Sequence, residues 1–387
     1  MVNYVFLSVY FYSVPNLRFS YKGDWSKRKL NEICLFFKGN GLSKSDLSNE
    51  GFPCILYGEL YTTYKNEVIS DIISKTNTTL SNPFLSRNND LIIPGSGEDP
   101  IDIAVARAIY QNDIILGGDL NILRPKSNVS AAFLSYQLNG VRRYDIAKKA
   151  QGKSIVHLHN SDLKEVLVSI PSYDEQLHIV KLLTKIDEMI ETQSKIINDY
   201  KILKNHIIKS FIKQNGTSYL LSEIAELGRG RVINSAEISK QKNPIYPVYS
   251  SQTSNNGIMG YLDNYDYEGE YITWTTDGAN AGTVYYRNGK FNCTNVCGIL
   301  KIKNGYDAYY ISNILNCYTK KYVSTNLANP KLMNNVMANI KINLPSIEQQ
   351  KHSSKILQSI EYRVEIEEDI KLNLVKQKAF LLKNMFI

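Results

Sequence analysis

The 387-residue chain contains a long internal repeat. Pro171 to Lys213 aligns on Pro345 to Ile387 at a constant offset of 174, without a gap and with 11 identities in 43 columns. Self-similarity on this scale constrains the fold more than any single motif, because each copy must find the same kind of structural solution. IPSYDEQLHIVKLL opens the first copy and LPSIEQQKHSSKIL the second, and neither carries a glycine or a further proline after its opening. Apolar residues recur at steps of three and four: Leu183, Ile186, Ile190, Ile196, Ile197, Tyr200, Leu203, Ile207 and Phe211, then Leu357, Ile360, Val364, Ile370, Leu374, Leu381 and Met385. That spacing predicts two helices with a coiled-coil seam.

An uninterrupted helix of this kind is roughly 57 Å long at 1.5 Å per residue, too long to be covered by one small core. The economical arrangement packs the two helices on each other, antiparallel about a pseudo-twofold axis. Its predicted interface sets Leu183, Ile186, Ile190, Ile197, Tyr200 and Ile207 against Leu357, Ile360, Val364, Leu374 and Leu381. The preceding segments also correspond, DLIIPGSG (90–97) with EYITWTTDG (270–278) and NILRPK (121–126) with GILKIK (298–303). Four parts follow: a globular domain over 1–170, a helix over 171–215, a second globular domain over 216–344 and a second helix over 345–387. YITW, GTVYY and CGILKIK predict short strands, FLSYQLNGVRRYDIAKKA a helical stretch, and TSNNGIMGYLDNYDYEGE a run of turns. The fold class is α/β (α+β), two such domains joined by two long antiparallel coiled-coil helices.

With 43% hydrophobic and 21% charged residues, the composition excludes wholesale disorder. The net charge of +8 divides evenly, +3 in 1–170 and +3 in 216–344, which is compatible with a nucleic-acid partner without requiring one. Five cysteines, an odd number, argue against a disulfide framework and fit a reducing compartment. The opening MVNYVFLSVYFYSV lacks a basic flank and is too short to span a bilayer, so it is expected to be buried against the first domain, with no membrane association.

No catalytic constellation is evident. A phosphate loop ending in Gly152-Lys153-Ser154 would need a glycine where Ala147 stands, HExxH is absent, and the five histidines do not stand beside cysteines at zinc spacing. Cys293 and Cys297 read as small buried hydrophobes rather than metal ligands. His178 and His352, which occupy the same place in the two repeats, read as helix-start or interface residues. Each Asn-Pro is followed by Phe84, Ile245 or Lys331, so the Asn-Pro-Pro-Tyr type loop of an adenine methyltransferase is missing.

Three features together resemble the specificity subunits of type I restriction-modification systems: VPNLRFSYKGDWSKRKLNEI near the start, the two IPSYDEQ and LPSIEQQ helices, and GYLDNYDYEGEYITWTTDGANAGTVYYRNGKFNCTNVCGILKIK. The resemblance covers nearly the whole chain, in the order recognition domain, helix, recognition domain, helix. It implies a non-catalytic subunit of a bacterial DNA methyltransferase and endonuclease complex, cytoplasmic and nucleoid-associated when bound, that reads a bipartite site in double-stranded DNA. It implies two methyltransferase subunits and restriction (motor) subunits as partners. No cofactor is expected in this chain, S-adenosylmethionine being expected in the methyltransferase subunit. The helices would act as a spacer between half-sites about one helical turn apart, roughly 34 Å. The tip PGSGEDPIDIA departs from TWTTDGANAG, which implies different half-site sequences.

Side-chain chemistry then picks the DNA-contact candidates within that reading. In the first domain they are Lys38, Tyr57, Glu59, Ser96, Arg107, Arg142, Arg143 and Lys153. In the second they are Arg229, Arg231, Ser250, Ser251, Gln252, Thr253, Trp274, Thr275, Thr276, Asp277, Asn280 and Lys331. Two other readings stay open at this point: a stand-alone methyltransferase or nuclease with an unrecognised site, and a coiled-coil scaffold that does not bind DNA.

Overall fold

Each long helix starts at the same device. The computed structural model describes residues 14–79, 81–213, 215–324 and 329–387, so most of the apolar opening segment lies outside the described residues. Pro171 and Pro345 end the preceding strands, and Ser172 and Ser346 follow. Their hydroxyls accept from the amides of Glu175 (3.4 Å) and Gln349 (3.3 Å), satisfying donors that a helix start leaves free. Acidic residues in the first turns, Asp174 and Glu175 in one helix and Glu348 in the other, complement the positive end of each helix.

The elements used below, in chain order, begin with β1 (Ser26–Lys29), β2 (Cys34–Lys38), β3 (Phe52–Ile55), β4 (Asp90–Pro94), β5 (Arg107–Ile109), β6 (Ile115–Leu116) and β7 (Leu120–Pro125). Helix α1 (Ala131–Asn139), β8 (Leu167–Ile170) and the long helix α2 (Tyr173–Ile212) follow. The second half has β9 (Thr217–Leu220), β10 (Ala225–Arg229), β11 (Tyr246–Tyr249), β12 (Tyr271–Thr275), β13 (Val284–Arg287), β14 (Lys290–Cys293) and β15 (Cys297–Ile302). It closes with α3 (Ala308–Tyr318), β16 (Lys341–Leu344) and the long helix α4 (Ile347–Asn384).

The chain divides into two compact units, 1–194 with 369–387, and 195–368, so that each unit takes part of both long helices. In the first unit β1 pairs antiparallel with β8, and a larger sheet runs β2-β7-β4-β5 with Val68–Ile69 at its far edge. In the second unit β9 pairs antiparallel with β16, and the larger sheet runs β10-β15-β12-β13. The matching order extends the repeat from the helices into the globular parts. A smaller sheet in each unit is built round a parallel pair, β3 with β6 and β11 with β14. The run 253–270 is not all turn. Asn255 and Asn256 do adopt positive φ (48° and 52°), but Ile258–Leu262 forms a strand paired with β11.

Gln176 and Gln350, equivalent at the offset of 174, make the same two contacts. Gln176 accepts from the Ser130 amide (2.9 Å) at the N-cap of α1 and donates to the Pro171 carbonyl (3.1 Å). Gln350 accepts from the Asp307 amide (3.0 Å) at the N-cap of α3 and donates to the Pro345 carbonyl (2.8 Å). A second repeated contact holds each globular part to the helices. The Tyr136 hydroxyl donates to Asp187 (2.7 Å), which pairs with Lys378 (2.6 Å). The Tyr309 hydroxyl donates to Glu361, which pairs with Lys204. Asp187 maps on Glu361 and Lys204 on Lys378 at the same offset, so the carboxylate and the cation exchange helices between the two units.

Within the second unit, Lys201 meets Glu368 (2.7 Å) and Lys204 meets Glu361, so rising numbers in α2 face falling numbers in α4 and the helices are antiparallel there. Leu183, Ile186, Ile197, Leu357 and Leu374 are buried, while Ile190, Tyr200, Ile207, Ile360, Val364 and Leu381 are half-buried. Leu203 and Ile370, read as seam residues, are instead exposed, at 46% and 42%. A straight helix drifts about 20° per heptad from a 3.5-residue repeat, which over three heptads carries such positions off the seam. The first core gathers Trp25, Phe133, Tyr136, Ile179, Leu183, Met385 and Phe386, and the second Trp274, Tyr310, Ile314, Ile208, Phe211 and Leu357.

Candidate nucleic-acid interface

Ligands of open α/β sheets collect just past the carboxyl ends of parallel strands. In the second unit the parallel pair β11 and β14 ends together, Tyr249 opposite Cys293. Ser250, Ser251 and Gln252 continue from one strand and Thr294, Asn295 and Val296 from the other, and with Asp277 to Asn280 they line a cavity of about 440 Å³. In the first unit the pair β3 and β6 ends with Ile55 opposite Leu116. Leu56 to Glu59 continue from one strand and Gly118 and Asp119 follow the other, lining, with Ser43, Lys44, Thr62 and Thr63, a cavity of about 750 Å³. The same place in both units is hollow and polar-rimmed, and different side chains line it.

In the second unit the cavity wall is braced from below by Arg287, which the sequence reading missed. Its guanidinium lies 3.6 Å from the centre of the Tyr249 ring and 4.4 Å from that of Tyr285. It donates to Thr273 Oγ1 (3.2 Å) and to the Asn256 carbonyl (2.9 Å), fixing the left-handed Asn255-Asn256 turn. Burial lowers its pKa, and the surrounding π-faces and carbonyl hold the charge in place. Gln252 donates to the Ile258 carbonyl, Asn280 donates to Thr253 Oγ1 (3.2 Å), and Asp277 pairs with Lys331 (3.5 Å). Thr294 is buried, its hydroxyl against the Cys297 sulfur.

Of the sequence candidates, Ser250, Ser251, Gln252, Asp277 and Asn280 line this cavity, and Tyr57 and Glu59 line its counterpart. Thr253 and Lys331 are brought to the rim by their partners Asn280 and Asp277. Ser96 donates to Asp119 (3.0 Å) and so supports the first cavity from behind. Glu59 is occupied with the Leu56 amide (2.7 Å) and the Ser74 hydroxyl. Lys38 is exposed at the end of β2, and Lys153 is exposed on a loop.

Other candidates are engaged in contacts within their own unit. Trp274 is fully buried and donates to the Leu332 carbonyl (2.9 Å); Gly298 is glycine because a Cβ there would stand 2.1 Å from its ring. Thr275 and Thr276 are buried beside it, and Thr276 donates to the Val296 carbonyl (2.9 Å). Arg107 is buried and holds the Leu60 and Tyr64 carbonyls (3.1 and 2.9 Å), with its pKa lowered by burial. Arg142 donates to the Ile387 carbonyl (3.0 Å) and Arg143 to the Ile101 carbonyl (3.0 Å). Arg229 donates to Asn334 (3.2 Å). Arg231 is neutralised by Glu237 (2.6 Å) and Asp266 (3.0 Å), which raises its pKa through the Glu237 hydrogen bond first. A guanidinium held by two carboxylates is a poor phosphate ligand.

Comparison with known proteins follows the same division. Residues 22–200 and 216–377 each match the family of the type I restriction modification DNA specificity domain. Among curated relatives, the N-terminus of a type I specificity subunit of Mycoplasma pneumoniae is 43% identical over 142 residues, 36% of this chain and 75% of the relative. The specificity subunit of the type I restriction enzyme MpnII, from the same organism, is 42% identical over 146 residues, 37% of this chain and 43% of that protein. The crystal structure of a type I restriction-modification S subunit from M. genitalium superposes with a TM-score of 0.66 at 17% identity, covering 97% of this chain and 99% of the other. A chain from a structure of the complex assembly and conformational transition of the type I system superposes at 0.57 with 14% identity, covering 92% and 96%.

Proposed function

We propose, from the premise that the chain belongs to the type I restriction-modification DNA specificity family, that it is the non-catalytic subunit that selects the DNA sequence of such a complex. One observation carries the reading: two units of matching sheet order bear a cavity at the same topological place, rimmed by different residues. One fold presented twice with different linings is what reading two unlike half-sites requires. In this reading each recognition domain contacts one half of a bipartite site in double-stranded DNA. Two methyltransferase subunits dock on the chain and supply S-adenosylmethionine chemistry, and restriction subunits join them for cleavage.

The test is co-expression of the chain with its modification subunit, followed by mapping of methylated adenines across the host DNA. The expected result is a split motif, two specified parts separated by a fixed unspecified gap. A continuous motif, or no methylation from a stable complex, would overturn it. Methylation by the purified chain alone would make it an enzyme instead.

A further inference from the structure

The two equivalent cavities differ in the turn after the second parallel strand. In the second unit the turn after β14 is Thr294-Asn295-Val296, and its backbone is pinned at both ends. The Thr294 amide donates to the Tyr249 carbonyl (2.8 Å), the Thr294 carbonyl accepts from Cys297 (3.0 Å), and the Val296 carbonyl accepts from the Thr276 amide (3.1 Å). Asn295 stands at the centre of this fixed turn, exposed and lining the cavity. The other carboxamides there are engaged, Gln252 by the Ile258 carbonyl and Asn280 by Thr253. The side chain of Asn295 makes no hydrogen bond among the described residues, so its donor and its acceptor are both available.

A free carboxamide on a fixed turn matches one guest in particular, the N6/N7 edge of adenine in the major groove, which takes one donor and one acceptor together. The first unit presents no such group: the turn after β6 is Gly117-Gly118-Asp119, and the place of Asn295 is taken by Gly118. Resting on the reading of the preceding subsection, we propose that Asn295 is a specificity-determining residue that reads an adenine in the duplex half-site of the second recognition domain.

The experiment uses the full chain in complex with its modification subunits, and maps methylation on a plasmid library randomised across both half-sites. Asn295→Ala should relax one adenine position of one half-site by about tenfold or more, leaving the other half-site and the gap unchanged. Asn295→Asp, nearly isosteric but acceptor-only, should shift that position toward cytosine, whose N4 donates. Unchanged preference at every position in both variants would overturn the proposal. So would uniform loss at every position from complexes that assemble normally. A wild-type complex that shows no split motif is the separate signature of failure of the underlying reading, and overturns both.

Discussion

At the scale of single residues, charge in this protein divides into side chains that build and side chains left free. Arg287 builds. Replacing it with alanine removes two charge-assisted hydrogen bonds and two ring contacts from a buried position, and should destabilise the second unit by about 2–4 kcal/mol, read from urea unfolding. Arg287→Lys should recover only part of that, because an ammonium cannot serve the planar fork. Arg231 is exposed and already paired, so Arg231→Ala should change stability by less than about 1 kcal/mol and leave both half-site preferences intact, measured by the same unfolding and methylation assays. Composition and loop context brought Gln252, Asp277, Asn280, Tyr57 and Glu59 to the cavities, because polar residues beside turn signals stay near the surface. They failed for Arg107 and Trp274, since a lone arginine in a strand has the same letters whether it is solvated or holding carbonyls in the interior. Asn295 was illegible for the opposite reason: one asparagine between two cysteines has no pattern until the strand ends place it.

At the scale of elements, the contacts that seat the globular parts on the helices are repeated but unequal. In the first unit Lys378 sits between Asp187 and Glu67, all with side chains no more than 16% exposed, whereas Lys204 and Glu361 are 22% and 41% exposed. Removing the buried cation leaves two carboxylates without compensation, so Lys378→Met should cost about 3–5 kcal/mol. Lys204→Met should cost about 1 kcal/mol or less. Burial already raises the Asp187 pKa against the pull of Lys378, and without that cation it rises further. A folded-state pKa above the unfolded one means that the folded protein binds the proton more tightly, so the Lys378→Met deficit should shrink as pH falls from 7 toward 5. A deficit that grows on acidification would contradict this account. The long helices were legible because a 3.6-residue pattern without glycine or proline has few other solutions. Their seam was less so, because buried Asp187, Gln193 and Glu367 break the apolar pattern and the helical drift turns Leu203 outward.

At the scale of the whole chain, the division into units does not follow the order of the sequence. The first unit is completed by 369–387, where Met385 and Phe386 enter its core and the Phe386 ring lies 5.3 Å from Phe133 and 6.3 Å from Trp25. A chain ending at Glu368 should therefore lose protection in the first unit, over 26–170, while 217–344 stays protected. Hydrogen exchange of the truncated chain tests this, and protection lost mainly in 217–344 would contradict the assignment. Repetition was visible in the sequence along the helices, where 11 of 43 positions are identical, and faint in the globular parts, where chiefly backbone pairing recurs. Strands tolerate any residue that suits a half-buried pleat, so ladder order outlives identity.

The closing of the first core by Phe386 also sets a timetable for synthesis. Roughly 200 residues separate the last strand of that unit from its final core residues, which a ribosome adding about 5–20 residues per second needs about 10–40 s to deliver. Throughout that interval the part made first lacks the side chains that cover Trp25 and Phe133. The second unit draws its core from a contiguous stretch and faces no such wait. The half that leads in translation is thus the half that finishes folding last, and the one exposed longest to chaperones and to aggregation.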